Sequence, residues 1–278
     1  MQLPGRHRIF AALAVAAIVL CSSAFPLIAA ESNRPLVIAH RGGKKWAPEN
    51  TMAAFAKSLK AGADGVELDI HRCKSGELVV IHDETLDRTT DGQGFIKDKT
   101  WDEMKNLSAG KWYSDEFADE KLPLLEDVLK LADGKMIINI EIKNSPIEYP
   151  GIENDLAKLL KTYKYPDKIL ISSFDHELIR RVHKKMPHIE AAFLDAGIIA
   201  DVGNYANNIG AKAWNAGWSE LRADAVERAH KAGVAVNVWT VDGRKNWDSM
   251  MEMKVDGIVT DDPAGLIAYL KDKGARGQ

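Results

Sequence analysis

The chain has 278 residues, 46% of them hydrophobic and 28% charged, with a formal net charge of -3. That is the balance of an ordinary globular protein, and the length allows a substantial core in one large domain or two small ones. The weak net charge offers no polyanion-binding surface and argues against nucleic acid as a partner.

Residues 1–30 read as a secretory signal peptide and not as part of the fold. Arg6 and Arg8 form a basic start, residues 9–20 an uninterrupted apolar run, and small residues lead to Ala29-Ala30. Cleavage after Ala30 or after Ala24 fits. Two alternatives stay open. One is a lipoprotein on Cys21, although Leu20 stands where a small residue is usual; the other is an uncleaved anchor, since residues 9–30 barely suffice to span a bilayer. No later segment is long and apolar enough to span. The expectation is an exported protein, periplasmic or extracellular, that meets a membrane only through such an anchor. Once Cys21 is removed, Cys73 is the one cysteine left, so no internal disulfide can form. Cys73 is expected to be a small half-buried side chain and not a nucleophile.

After this leader, apolar runs alternate with amphipathic segments. Residues 36–40, 65–70, 136–143, 168–174, 190–194, 211–215, 234–240 and 257–260 read as strands. Many are apolar throughout, as strands buried on both faces are. Helices are predicted over 51–61, 124–132, 153–163, 176–185, 223–232 and 247–254. Asn50 is the expected N-cap of the first, with Pro48 restricting its entry, and Gly134 and Gly233 are expected C-terminal stops. Eight such units predict an α/β fold, a (β/α)8 TIM barrel, as one domain over residues 31–278. A doubly wound open sheet is the alternative, but no G-x-G-x-x-G loop follows the first strand. Residues 78–82 read as another strand, too close to the one before for a parallel crossover, so Ser75-Gly76 predicts a hairpin. Residues 84–121 are polar and carry Trp101, Trp112, Tyr113 and Phe117; they are expected to form a small inserted subdomain at the barrel mouth after the His82 segment. Residues 274–278 are expected to fray.

Charged motifs close the apolar runs. His40-Arg41-Gly42 closes the first, Glu67-Leu68-Asp69 the second, His82-Asp83 the hairpin strand and Glu141-Ile142-Lys143 the next. Residues i and i+2 of a strand share a face, so Glu67 pairs with Asp69 and Glu141 with Lys143. A barrel gathers its strand ends at one mouth, which brings all of these together. Three carboxylates held close repel one another, and burial adds a desolvation cost that a divalent cation removes. All-oxygen ligation by Glu67, Asp69 and Glu141 suits Ca2+ or Mg2+ better than Zn2+. The plainer reading pairs each carboxylate with Arg41, Lys143 or Arg72. His40 and His82 are the candidate acid and base for cleaving a phosphodiester, since imidazole titrates near neutrality. Arg41 and Lys143 suit nonbridging phosphate oxygens. His71, His176, His183, His188 and His230 lack such neighbours and are expected mostly at the surface.

These motifs, with Pro48-Glu49-Asn50-Thr51, Ser172-Ser173-Phe174, Val238-Trp239-Thr240-Val241 and Gly257-Ile258-Val259-Thr260-Asp261-Asp262-Pro263, follow one another in the order found in the glycerophosphodiester phosphodiesterases. From about Leu36 to Leu270 the chain closely resembles that family, in its compact bacterial exported form. The resemblance implies a phospholipase-C-like barrel with an insertion after His82. It implies a divalent metal on Glu67, Asp69 and Glu141, acid–base work by His40 and His82, and phosphate contacts from Arg41 and Lys143. Phe174 and Trp239 match apolar mouth residues that pack on substrate, and Glu49 matches a position beside the site, as a partner of Arg41 or the metal. The implied reaction splits a small-molecule glycerophosphodiester, such as glycerophosphocholine or glycerophosphoethanolamine, into sn-glycerol 3-phosphate and an alcohol. Lysophospholipase-D-like action, with Trp101, Trp112, Tyr113, Trp214 and Trp218 lending apolar surface, is one rival. Another is an exported protein that captures phosphodiesters without cleaving them. The preferred alcohol, the native ion, the nucleophile (water or the glycerol 2-hydroxyl) and the oligomeric state stay open.

Overall fold

In the computed structural model residues 34–275 are described, so the expected leader with its cleavage points and Cys21 lies outside the described residues. In chain order the strands are β1 (Leu36–Ala39), β2 (Gly65–Arg72), β3 (Leu78–Val80), β4 (Ile137–Ile142), β5 (Ile169–Ser173), β6 (Glu190–Asp195), β7 (Ala213–Gly217), β8 (Ala235–Trp239) and β9 (Gly257–Thr260). All but β3 run parallel, in the order β1-β9-β8-β7-β6-β5-β4-β2. Pairing of Ile38 with Gly65 and Ala39 with Val66 returns β2 to β1 and closes the barrel. The strands are almost wholly buried because helices cover their outer faces.

The helices are α1 (Met52–Ala61), α2 (Trp101–Met104), α3 (Leu125–Ala132), α4 (Ile152–Leu160), α5 (His176–Lys185), α6 (Val202–Ile209), α7 (Ala223–Lys231), α8 (Arg244–Met253) and α9 (Pro263–Asp272). Three of them escape the sequence reading, the four-residue α2 within the segment after β3 and the longer α6 and α9. α6 contains Gly203 and three asparagines, a poor intrinsic helix composition. Packing overrides it: Val202, Ala206 and Ile209 are buried, Asp201 caps the start, and a Cβ on Gly203 would lie 2.4 Å from the Cβ of Ala232. α9 begins at Pro263, capped by Asp262, and buries Leu266, Ile267 and Leu270. The N-cap of α1 is Thr51, whose hydroxyl accepts from the Ala54 N–H, and not Asn50. Asn50 has φ 57 and sends its side chain to Asp69 instead.

One core lies between strands and helices. Inside the barrel, Leu170, Ala192, Ala213 and Ala235 form a small apolar plug with Leu36. Two residues further along their strands stand Ser172, Asn215 and Asn237, beside Asn139: a buried polar layer beneath the mouth. β3 pairs antiparallel with the end of β2, as the predicted hairpin does. The segment after it has its own small core, in which Leu86, Ile96, Met104, Ala109 and Leu122 pack on Cys73, Val79 and Ile81. Cys73 is therefore a buried packing residue of that unit. Among the described residues no helix is long and apolar enough to cross a membrane.

Candidate active site

The strand ends gather the predicted residues around one cavity of about 100 Å³, lined by His40, Arg41, Glu67, His82, Asn139, Glu141, Lys143, Ser172, Phe174, Leu194, Asn215, Trp239, Thr240 and Val259. Larger depressions on the outer surface carry none of these residues. The cavity begins where β1 ends. His40–Gly42 form a single turn in which Arg41 takes a left-handed conformation, φ 49, costly for a residue with a side chain. Two bonds hold it: Arg41 N–H donates to Glu67 Oε2 at 2.9 Å, and Asn50 N–H donates to the Arg41 carbonyl at 2.9 Å. Only glycine fits next, because a Cβ on Gly42 would meet the Cβ of Ala54 at 2.7 Å.

Glu67, Asp69 and Glu141 converge, each offering an oxygen within 4.8 Å of the others. One oxygen of each is held by a protein donor: Glu67 by Arg41 N–H, Asp69 by the Asn50 amide at 2.8 Å, Glu141 by Lys143 at 2.8 Å. Burial pushes Glu67 well above the usual carboxylate range, and burial with Asp69 pushes Glu141 up to about 7. Burial works on Asp69 in the same direction, but Arg41, Lys143, His82 and the Asn50 amide outweigh it and hold its carboxyl low. Three buried carboxylates thus resist carrying full charge together, which is the condition a hard divalent cation relieves, and the all-oxygen donor set fits one. The plainer reading is also partly realised, since Lys143 pairs with Glu141. Arg72, in contrast, turns away to Asp155 at 2.7 Å.

Each mouth histidine has a carboxylate at Nδ1. His82 donates to Asp83 at 2.7 Å and His40 to Asp261 at 2.6 Å. Lys143 Nζ lies 3.3 Å from His82 Nε2, so that nitrogen is an acceptor and the ring is neutral. Burial holds the His82 imidazole below the usual histidine range, with Arg41 and Lys143 adding to this against Asp69. His40 Nε2 lies 3.9 Å from Glu67 Oε2. Glu49, expected as a neighbour of Arg41, accepts from Arg41 Nη1 at 2.8 Å. Phe174 and Trp239 meet edge to face at 5.4 Å between centroids, with Phe174 45% exposed at the rim.

His71 is buried and not at the surface as expected, and it is held at both ring nitrogens. Its Nε2–H donates to the His82 carbonyl at 3.0 Å, and Nδ1 accepts from the Tyr149 hydroxyl at 2.9 Å. Local composition gives no sign of this, because hairpin pairing is what covers the ring. Asn50 and Asp261 also carry contacts that the motifs around them do not reveal, because their partners Asp69 and His40 lie 19 and 221 positions away in the chain. The insert aromatics Trp101, Trp112 and Tyr113 do not line the cavity, and Trp214 is buried, stacked on Phe193. Trp112, Tyr113 and Phe117 pack edge to face on one another instead.

A model of the glycerophosphoryl diester phosphodiesterase family matches residues 40–265. The chain is 43% identical over 242 residues to a glycerophosphodiester phosphodiesterase of Caldanaerobacter subterraneus, covering 87% of this chain and all of that one. It is 40% identical over 231 residues to a glycerophosphodiester phosphodiesterase of Bacillus altitudinis, covering 82% and 94% of the two chains. A solved phosphodiesterase of Oleispira antarctica, in complex with the product sn-glycerol-3-phosphate, superposes with a TM-score of 0.79 at 26% identity, covering 85% of this chain and 97% of that one. The chain belongs to the glycerophosphoryl diester phosphodiesterase family and is an enzyme of that class.

Proposed function

We propose that this enzyme hydrolyses small glycerophosphodiesters, such as glycerophosphocholine and glycerophosphoethanolamine, to sn-glycerol 3-phosphate and the free alcohol, using one Ca2+ or Mg2+ at Glu67, Asp69 and Glu141. The observation that carries the reading is the pair of carboxylate-bound imidazoles, His40–Asp261 and His82–Asp83, on one cavity with the three-carboxylate cluster. The relative crystallised with sn-glycerol-3-phosphate supports the product side.

Neutral His82, with Nε2 as acceptor, is the proton acceptor for the attacking hydroxyl, whether water or the glycerol 2-hydroxyl. His40, its Nδ1 held by Asp261, gives a proton from Nε2 to the leaving alkoxide. Arg41 and Lys143 hold nonbridging phosphate oxygens, their charge kept by Glu49, Asp69 and Glu141 around them. What a bound cation supplies here is charge against the phosphoryl oxygens and relief of the carboxylate repulsion. Phe174 and Trp239 pack on the substrate. Exposed Phe174 at the rim also favours a second reading, in which a lysolipid chain leaves the mouth across it.

The test is choline release by the protein lacking residues 1–30, from glycerophosphocholine and from lysophosphatidylcholine, with EDTA, Mg2+ or Ca2+, glycerol 3-phosphate being the other product of the first and lysophosphatidic acid of the second. Release that EDTA abolishes and a divalent ion restores is expected. Full activity after exhaustive EDTA treatment removes the metal from the mechanism, and faster turnover of the lysolipid reverses the order of the two readings. Residues 1–30 are read as an export signal; a secreted form starting at residue 25 or 31 by mass is expected, and an intact chain retained with membranes counts against cleavage.

A further inference from the structure

The inserted segment does not line the cavity, yet it sends one residue toward the machinery. Leu86 is buried in the small core of the insert, and its carbonyl accepts from both the N–H of Thr90, at 3.1 Å, and the Thr90 hydroxyl, at 2.6 Å. Leu86 N–H in turn donates to the Gly94 carbonyl at 3.0 Å. The turn between Leu86 and Thr90 is thus tied at its base, and Arg88 stands within it.

The Arg88 guanidinium is used as a fork on two carboxylates at once. Nε and Nη2 donate to Asp83 at 2.6 and 2.9 Å; Nη1 and Nη2 donate to Glu49 at 3.1 and 2.8 Å. Asp83 is the acceptor for His82 Nδ1, and Glu49 the acceptor for Arg41 Nη1. A continuous chain of charges results: Asp69, Arg41, Glu49, Arg88, Asp83, His82. Such paired, planar contacts fix direction as well as charge.

We propose that Arg88 is a positioning residue, through which the insert sets the aim of His82. Without Arg88, Asp83 is left with the imidazole alone among the partners described. Asp83 then swings with solvent, and the His82 ring loses the fixed direction of its Nδ1–H; the backbone bond from His71 still holds the His82 carbonyl. This rests on the reading of His82 as a proton-transfer group.

The experiment compares Arg88→Met, Arg88→Lys, Asp83→Asn and Arg88→Met with Asp83→Asn together, with His82→Ala as reference, by kcat and KM for glycerophosphocholine and by thermal shift with Ca2+ or Mg2+. Arg88→Met is expected to lower kcat by about 10- to 100-fold, the span between loss of orientation and loss of the group. KM should stay within about threefold and the thermal shift given by the ion should be unchanged, because the ligand cluster is untouched. Arg88→Lys, which keeps the charge without the fork, should recover part of the rate. In the Asp83→Asn background the Arg88 substitution should cost much less than in the wild type. Wild-type kcat in Arg88→Met, or losses that multiply in the double variant, would overturn the proposal. Should Arg88→Met not fold, Arg88→Lys decides in its place: reduced kcat at unchanged KM supports the proposal, and wild-type kcat overturns it. A His82→Ala enzyme at full rate defeats the reading of His82 itself, whereas an inactive His82→Ala beside a fully active Arg88→Met defeats only the inference about Arg88.

Discussion

The barrel mouth divides into two unlike halves. The strands β9, β1, β2 and β4, neighbours around the barrel, bring Asp261, His40, Arg41, Glu67, Asp69, Glu141 and Lys143, and the hairpin beside them adds His82 and Asp83. The strands β5 to β8 and their ends bring only uncharged side chains to the cavity: Ser172, Phe174, Leu194, Asn215, Trp239 and Thr240. Charged side chains answer the charge that develops on the phosphoryl oxygens more strongly than neutral ones, and apolar and neutral walls discriminate among alcohols by shape. On the mechanism proposed above, bond breaking falls to the charged half and substrate selection to the neutral one.

The largest expected effects break the charged half. His82→Ala and His40→Ala should each lower kcat by about 10²–10⁴-fold, the usual worth of a positioned acid or base, with far-UV circular dichroism unchanged. Glu141→Gln should lose as much and should also lose the stabilisation that Ca2+ or Mg2+ gives the EDTA-treated protein; an unchanged thermal shift would take Glu141 out of the ion site. Smaller effects are expected from the neutral half. Trp239→Ala and Phe174→Ala should raise KM by about 5- to 50-fold, equivalent to the burial of part of a ring, with kcat moving little. Equal losses in kcat would erase the division of labour. Within this half the two changes should differ, Trp239 costing more because its indole N–H also donates to the Asn215 carbonyl at 2.8 Å.

The smallest effect sharpens the comparison from outside both halves. His230, at the end of α7, pairs with Asp256 ahead of β9, at the far end of the barrel from the mouth. The hydrogen bond to Asp256 raises its pKa above the ordinary 6.5. A raised folded-state value means its stabilisation is fully present below about pH 6.5 and disappears as pH climbs through that raised value. His230→Gln should therefore lower Tm by about 1–3 °C at pH 6 and by less at pH 9, the size of a half-exposed ion pair, while kcat stays unchanged.

The architecture was legible because strands buried on both faces leave uninterrupted apolar runs, and because His40, Glu67 and Glu141 stand where such runs stop. The hairpin was legible from its short connection. What stayed hidden depends on neighbours distant in sequence. α6 forms because Gly203 lets it approach Ala232, against its own composition. Asn50 resembles a cap by residue type, but a left-handed backbone turns it to Asp69. Arg88 lies in a polar stretch with nothing local to mark it, and its importance comes from meeting Glu49 and Asp83, 39 and 5 positions away.

His40 and Asp261 are 221 positions apart in the chain and 2.6 Å apart in space, on the two strands whose pairing runs from Leu36 with Gly257 to Ala39 with Thr260. A growing polypeptide therefore holds nearly every charged group of the mouth by the time residue 143 is made, and still lacks the partner of His40 until residue 261, after the last strand, is made. On the proposed mechanism, competence arrives late and at once, with barrel closure. A circularly permuted chain that joined residue 275 to residue 34 and opened elsewhere, for instance between α5 and β6, would make that pair local while leaving closure of the barrel to β5, and should separate formation of the pair from the gain of activity.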